Sequence, residues 1–216
     1  MEKKKDTMVK DAIILCLITL VLGAVLAGVY AITKKPIEEA QAKTNNEACE
    51  KVVADGDKVL DNDENKVGDA TEYLNSHDLS NAEVAEVSDS LSGWVVIEEA
   101  HPTENGGTVY LVTAKKGYGG DLSFALGVGA DSAITGISIT SQAETAGLGA
   151  NCENEEWQAG FAGKVLPSDP SQVMYNKQES NDSQVQALSG ATVTSRAIAN
   201  AVKGVLFADA AGKEAA

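Results

Sequence analysis

Residues 94–140, WVVIEEAHPTENGGTVYLVTAKKGYGGDLSFALGVGADSAITGISIT, decide the fold. The stretch holds four segments that are rich in β-branched residues or alternate between apolar and polar residues, at 94–100, 108–114, 122–129 and 133–140. Turn-forming residues separate them, as in Asn105-Gly106-Gly107. Four consecutive strands with short connections predict an antiparallel meander.

Helices are predicted on both sides of this meander. Residues 36–54 begin with Pro, which is common at the first helical position, and then carry acidic side chains. A short helix over 155–163 places Trp157 and Phe161 on one face. Residues 192–209 carry an apolar stripe at helical spacing, and a tail, 210–216, is expected to fray. The chain is therefore predicted to have an α+β fold.

The run 12–33, AIILCLITLVLGAVLAGVYAIT, contains no charged side chain. Its length corresponds to about 33 Å of helix, which matches a bilayer hydrocarbon core of roughly 30 Å. A secretory signal has a shorter apolar region of about 7–15 residues, so we interpret the run as a retained transmembrane helix. Lysines precede it at positions 3, 4, 5 and 10. The positive-inside rule then predicts a cytoplasmic N-terminus and a main domain outside the cell membrane.

This interpretation divides the chain into five parts. They are a cytoplasmic N-terminus (1–11), a transmembrane helix (12–33), an extracytoplasmic helix with a polar connecting region (34–90), a main domain (91–209) and a C-terminal tail (210–216). Residues 55–90 are rich in Asp, Asn and Ser and are expected to wrap the surface of the main domain.

Composition excludes several function classes. The chain has 17 Lys and Arg against 32 Asp and Glu, a formal net charge of −15, which argues against nucleic-acid binding because phosphate contacts need clustered basic residues. Cys16, Cys49 and Cys152 form no CxxC or zinc-type pattern, so no metal site is predicted. A disulfide between Cys49 and Cys152 is left open. His77 and His101 are interpreted as surface side chains, and no catalytic residue is predicted.

Three loops that contain glycine remain as candidate binding segments. SGATVTS, residues 189–195, opens the last helix. Its hydroxyl groups suit a helix cap, and the same helix terminus, with its dipole and unpaired N–H groups, suits a phosphate beside Thr192. The other two loops, GYGG at 117–120 and AETAGLG at 143–149, are either ordinary turns or places where a flat ring lies directly on the backbone.

The order of these segments resembles a known family. The chain has one N-terminal membrane span, followed by GYGGDLSFALGVGAD (117–131), AETAGLGANCENEEWQAGFAGK (143–164) and SGATVTS. This order of segments is similar to that of the G subunit of the Rnf electron-transport complex. The resemblance covers nearly the whole chain and is weakest over 36–90. It implies an FMN-binding domain whose flavin is joined, through its phosphate, to the last Thr of the SGAT motif by a separate flavin transferase.

The resemblance also implies a set of cofactor-binding residues. Thr192 is the residue joined to FMN, and Ser189, Gly190 and Ala191 complete its motif. The residues that match the other two family loops are Glu144, Thr145, Gly147, Leu148, Gly149, Gly117, Tyr118, Gly119 and Gly120.

The chain departs from the family pattern at three positions. Gln142 stands where the family usually has His, and Ala146 replaces a Pro of the second loop. Gln186 stands where an acidic residue is common, three positions before the motif Ser.

The implied function is electron transfer. The family complex carries electrons between reduced ferredoxin and NAD, coupled to Na⁺ or H⁺ movement, with this subunit as a flavin relay and not a complete enzyme. Its partners are the other membrane and peripheral subunits of the Rnf complex. Three alternatives stay open: the C subunit of a sodium-translocating quinone reductase, a stand-alone flavinylated electron-transfer protein, and a non-redox ligand-binding or assembly module.

Overall fold

The structure is a computed structural model that describes residues 2–60, 83–84, 87–168, 172–178 and 181–215. The chain divides into two compact units, Met1–Lys43 and Thr44–Ala216. His77 and most of the polar region predicted to wrap the surface lie outside the described residues.

The first element is one continuous helix, α1, Glu2–Val52. Its large apolar side chains from Ile13 to Ile32 are all at least half exposed. The helix contains a segment with a mean hydropathy of 2.9, apolar and long enough to cross a membrane. The helix predicted over 36–54 is present and continues from the membrane-spanning segment, but Pro36 lies inside α1 and is not a first helical residue, and the helix ends at Val52. An interior proline removes one backbone donor and crowds the carbonyl four residues earlier. The Lys, Glu and Ala residues on either side favour helix and offset this local cost.

The second unit is built on a four-stranded antiparallel sheet. Its strands are β3 (Val95–Pro102), β4 (Thr108–Ala114), β5 (Leu122–Val128) and β6 (Ile134–Ser141). They pair in sequence order, which confirms the predicted meander. A small antiparallel pair that the sequence did not predict, β1 (Glu83–Val84) with β2 (Val87–Ser90), precedes the sheet.

Both faces of the sheet are covered. Side chains alternate between the faces with a period of two, so Tyr110 and Val112 enter the main core whereas Val109 and Leu111 point to the opposite face. The main core is closed by the last helix, α3 (Thr192–Ala215). The opposite face packs against the C-terminal end of α1, where Ala48, Cys49 and Val52 are buried.

Helix α3 extends to Ala215, so the predicted end at Asp209 and the frayed tail are wrong. The last residues are largely Ala, Lys and Glu, which favour helix and place no proline in its path. The predicted helix over 155–163 is shorter, since α2 spans Glu155–Ala159. The rings of Trp157 and Phe161 still meet edge to face, with centroids 5.1 Å apart.

In the described residues between α2 and α3, β7 (Tyr175–Asn176) pairs in parallel with β8 (Val185–Gln186). Met174, Tyr175 and Val185 from this segment join the main core beside α3. Cys49 and Cys152 are free thiols in two different hydrophobic clusters, so the disulfide left open by the sequence is not formed.

Candidate functional site

The three candidate loops meet at one cavity of about 400 Å³. Tyr118 comes from the β4–β5 turn, Glu144 and Leu148 come from the loop after β6, and Thr192 comes from the start of α3. The volume lies within the range of small-molecule sites in proteins. Residues that are far apart in the chain thus form one concave site.

The start of α3 is shaped by its own motif. Gly190 has φ +72°, a left-handed conformation that glycine adopts without strain, and this turn leads into the helix. Ser195 Oγ accepts a hydrogen bond from Leu188 N–H at 2.9 Å and donates one to the Ala191 carbonyl at 3.0 Å. The first N–H groups of an α-helix have no acceptor within the helix, so this end of α3 offers donors to an anion.

Glu144 joins all three loops. Its side chain is only 9% exposed. One carboxylate oxygen accepts a hydrogen bond from Gly119 N–H at 3.0 Å, and the other accepts one from Thr194 Oγ1 at 2.7 Å. The carboxylate therefore fixes the GYGG turn and the first turn of α3 to the loop between them.

Gln142 stabilises the same loop but does not line the cavity. Its side-chain oxygen accepts a hydrogen bond from Glu144 N–H at 2.6 Å, and its amide nitrogen donates to Glu153 Oε1 at 3.1 Å. The residue that replaces the family His thus has a structural role here. The other two departures from the family pattern, Ala146 and Gln186, are exposed, and the Gln186 carbonyl accepts a hydrogen bond from Trp157 Nε1 at 2.8 Å.

Two glycines let the loops approach this closely. A Cβ on Gly119 would collide with the carbonyl of Ala143, and a Cβ on Gly149 would collide with Glu144 Oε2 and lie 2.6 Å from Thr194 Oγ1. Backbone packed this tightly explains why the loops carry so many small residues.

Most of the predicted site residues line the cavity. Those that do are Tyr118, Glu144, Thr145, Leu148, Gly149, Gly190, Ala191 and Thr192. The predicted residues that do not line it are Gly117, Gly119, Gly120, Gly147 and Ser189. Their part in cofactor binding stays a prediction.

Val193 and Thr194 also line the cavity but are not among the predicted cofactor-binding residues. Thr194 is 1% exposed and contacts a residue 50 positions away in the chain. Its position in the first turn of α3, within the TVTS run, is the available signal, since the same hydroxyl groups suit either a helix cap or a ligand.

The chemistry of the cavity fits FMN. Tyr118 is 73% exposed and Leu148 is 43% exposed, so an aromatic ring and an apolar side chain are available to a flat ring system. The donors at the start of α3 suit a phosphate, and Thr192, with its hydroxyl, lies beside them in the wall. In the described part of the chain, no group of three or more His, Cys, Asp or Glu residues is arranged to hold a metal ion.

Comparison with known proteins identifies the domain that contains this cavity. Residues 117–206 match the FMN-binding domain family, and residues 1–52 match the RnfG N-terminal region. The G subunit of the proton-translocating ferredoxin:NAD(+) oxidoreductase complex of Clostridium ljungdahlii is 30% identical over 209 residues, covering 94% of this chain and 93% of that protein. The G subunit of the Na(+)-translocating ferredoxin:NAD(+) oxidoreductase complex of Acetobacterium woodii is 29% identical over 196 residues, covering 89% and 87%. The crystal structure of Shewanella oneidensis NqrC aligns with a TM-score of 0.44 at 20% identity, covering 61% of this chain and 66% of that one.

A membrane-spanning helix followed by an FMN-binding domain defines the class of protein. The chain belongs to the family of G subunits of ion-translocating ferredoxin:NAD(+) oxidoreductase complexes, the Rnf family.

Proposed function

We propose that this subunit carries its FMN as a phosphoester on Thr192 and holds the flavin ring in the cavity beside Glu144. The chain is a membrane-anchored flavin electron carrier of the ion-translocating ferredoxin:NAD oxidoreductase complex, and alone it is not a complete enzyme. Family membership favours this function over the three alternatives considered from the sequence.

The position of Thr192 is the observation that carries the proposal. It is the first residue of α3 and lies in the cavity wall, half-buried, next to the N–H groups that the helix leaves unpaired. A phosphate attached to its Oγ stays beside these donors and the positive end of the helix dipole. Neighbouring Gly190 and Ala191 are small enough to admit it.

Attachment forms one bond. The Thr192 oxygen bonds to the FMN phosphorus of a flavin dinucleotide, the P–O bond of the pyrophosphate breaks, and the nucleoside monophosphate leaves with the hydroxyl proton. The product is therefore the chain plus FMN less one water. A flavin transferase supplies the flavin nucleotide. The bound FMN takes up and releases electrons, and the residues of the chain hold it in place and set its electrostatic environment.

Intact-mass measurement tests the attachment. The full chain, co-expressed with a flavin transferase, should gain the mass of FMN less one water and keep it through denaturation. Thr192→Ala should lose that mass entirely. Thr145→Ala is the matched control, because Thr145 lines the same cavity and is exposed, and it should keep the flavin. A covalent flavin that persists in Thr192→Ala would place the link on another residue.

We also propose that the flavin-bearing unit lies outside the cell membrane. The lysine excess before residue 12 supports a cytoplasmic N-terminus. Protease added to intact spheroplasts should digest the chain after Pro36, and a cytoplasmic protein in the same sample should stay intact. Complete protection of the domain, with digestion only after detergent, would reverse the orientation. The remaining subunits of the Rnf complex are its proposed membrane and peripheral partners.

A further inference from the structure

The carboxylate of Glu144 lies in the cavity wall, and its two hydrogen-bond partners are neutral groups. One oxygen accepts from Gly119 N–H and the other accepts from the Thr194 hydroxyl. Neither partner carries a positive charge that would neutralise the carboxylate. Only 9% of the residue is exposed, so bulk water screens the charge poorly.

Among the described residues, no Lys, Arg or His side chain forms an ion pair with Glu144. The ion pairs there join other partners, such as Lys115 with Asp121 at 2.6 Å, and no basic nitrogen lies within 4.0 Å of the Glu144 carboxylate. Backbone and hydroxyl dipoles stabilise the charge but do not cancel it. The cavity that is proposed to hold the flavin therefore has a net negative group in its wall.

A fixed negative charge acts on the redox equilibrium of a neighbouring flavin. An electron that enters FMN without a proton adds one unit of negative charge to it. Repulsion between that charge and the Glu144 carboxylate raises the free energy of the reduced flavin more than that of the oxidised flavin. The same charge on a solvated surface has a much smaller effect, because water and salt screen it.

We propose that Glu144 lowers the reduction potential of the FMN held in this cavity and so makes the reduced flavin a stronger electron donor. The inference rests on the proposed function, since it needs FMN in the cavity, but it does not depend on whether the flavin is covalently attached. It assigns Glu144 an electrostatic role in addition to its structural contacts.

Redox titration of the flavin-loaded full chain in detergent, followed by the visible spectrum, tests the proposal. Glu144→Gln removes the charge and keeps the shape and an acceptor for Gly119 N–H. At a fixed ambient potential, the ratio of reduced to oxidised flavin should rise by about tenfold, the order expected for one unit charge close to the ring at a partly buried site. Glu144→Asp keeps the charge and should stay near the wild-type potential.

Glu153→Gln is the matched control. Glu153 belongs to the same loop and accepts a hydrogen bond from Gln142, but it is exposed to solvent. Its neutralisation should change the flavin ratio by less than about twofold, because an exposed charge is screened. This variant separates a local effect of the buried carboxylate from the general loss of one negative charge.

Several outcomes would overturn the inference. Equal potentials in wild type and Glu144→Gln would do so, as would equal shifts in Glu144→Gln and Glu153→Gln. A flavin spectrum like that of the denatured chain in both Glu144→Gln and Glu144→Ala, with the wild-type spectrum in Glu144→Asp, would leave Glu144 as a residue that only builds the cavity. Failure of the proposed attachment is distinguished separately, by the mass of the Thr192→Ala variant.

Discussion

The two ends of α3 are each fixed by a buried carboxylate, and the two carboxylates serve different purposes. At the N-terminal end, Thr194 donates to Glu144, which belongs to a loop in the cavity wall. Near the C-terminal end, the helix itself supplies Asp209, which accepts hydrogen bonds from Tyr110 Oη at 3.0 Å and Ser132 Oγ at 3.3 Å. The first carboxylate faces a ligand cavity, whereas the second ties the helix to β4 and to the β5–β6 turn.

The comparison shows which of the two buried carboxylates bears on the flavin cavity and which contributes to the fold alone. Asp209 is 3% exposed and lies away from the residues that line the cavity, so it contributes to the fold. Glu144 is 9% exposed and forms part of the cavity wall. Disruption of the N-terminal end should therefore affect stability and flavin together, and disruption of the C-terminal end should affect stability alone.

The largest effect is expected from Gly149→Ala at the N-terminal end. The new methyl group collides with the Glu144 carboxylate and the Thr194 hydroxyl, and both are fixed by their mutual hydrogen bond. We expect a loss of about 3 kcal/mol in the free energy of unfolding, as for overpacking in a tight site. The proposed covalent link keeps the flavin on the chain, but its visible spectrum should change because the distorted cavity no longer holds the ring. Urea unfolding in detergent, followed by tryptophan fluorescence, measures the unfolding free energy, because both tryptophans, Trp94 and Trp157, lie in the Thr44–Ala216 unit.

The control for this variant is Ala146→Val, which adds bulk to the same loop at an exposed position. It should leave both the unfolding free energy and the flavin spectrum near wild type. A wild-type flavin spectrum in Gly149→Ala would show that the Glu144 cluster is not needed for the cavity, and the proposed difference between the two helix ends would be lost.

A smaller effect is expected from Tyr110→Phe at the C-terminal end. The change removes the hydroxyl that donates to Asp209 and keeps the ring, which is 4% exposed in the main core. Loss of a hydrogen bond to a buried carboxylate should lower the free energy of unfolding by about 1.5–2 kcal/mol. Flavin content and reduction potential should not change. Tyr118→Phe removes a hydroxyl from a tyrosine that is 73% exposed and should not change the unfolding free energy.

A change of flavin potential in Tyr110→Phe would contradict the division between the two ends of α3. It would show that the helix transmits a disturbance from Asp209 to the cavity. Potential and stability are therefore measured on the same preparation.

The sequence predicted the elements whose pattern is local. Strands β3 to β6 follow from alternation and turns, and the start of α3 at Thr192 follows from its cap motif. It did not predict that α3 is buried on nearly every side, because Lys203 and Asn200 suggest a polar face. That face is covered by the chain before the motif, and Lys203 Nζ donates to the Gln172 carbonyl at 2.9 Å.

The sequence predicts the three loops of the site but not the hydrogen bonds that join them. The resemblance placed all three loops near a flavin, and the structure brings them to one cavity. The bond between Glu144 and Thr194 joins two residues that are distant in the chain, so no local pattern predicts it. No local pattern predicts that residue 149 must be glycine either, because the groups that a side chain there would strike are the two joined by that bond.

The smallest effect concerns Cys152, a buried thiol near the N-terminal end of α3. Burial, followed by the negative charges of Glu153 and Glu144, raises the pKa of Cys152 from 9.0 to about 12. In the unfolded chain the thiol ionises near pH 9, whereas in the folded chain it stays protonated. Its contribution to stability is therefore complete below about pH 9 and is lost as the pH rises toward 12.

Between pH 8 and pH 10, wild type should lose about 1 kcal/mol more unfolding free energy than Cys152→Ala. All other titrating groups are common to both proteins and cancel in this difference. The pKa of Cys49 is raised to about 11, first by burial and then by Glu99, so Cys49→Ala should give a difference of the same sign. Parallel pH profiles of wild type and Cys152→Ala would mean that the thiol ionises as readily in the folded chain as in the unfolded one, so that neither its burial nor the charges of Glu153 and Glu144 act on it.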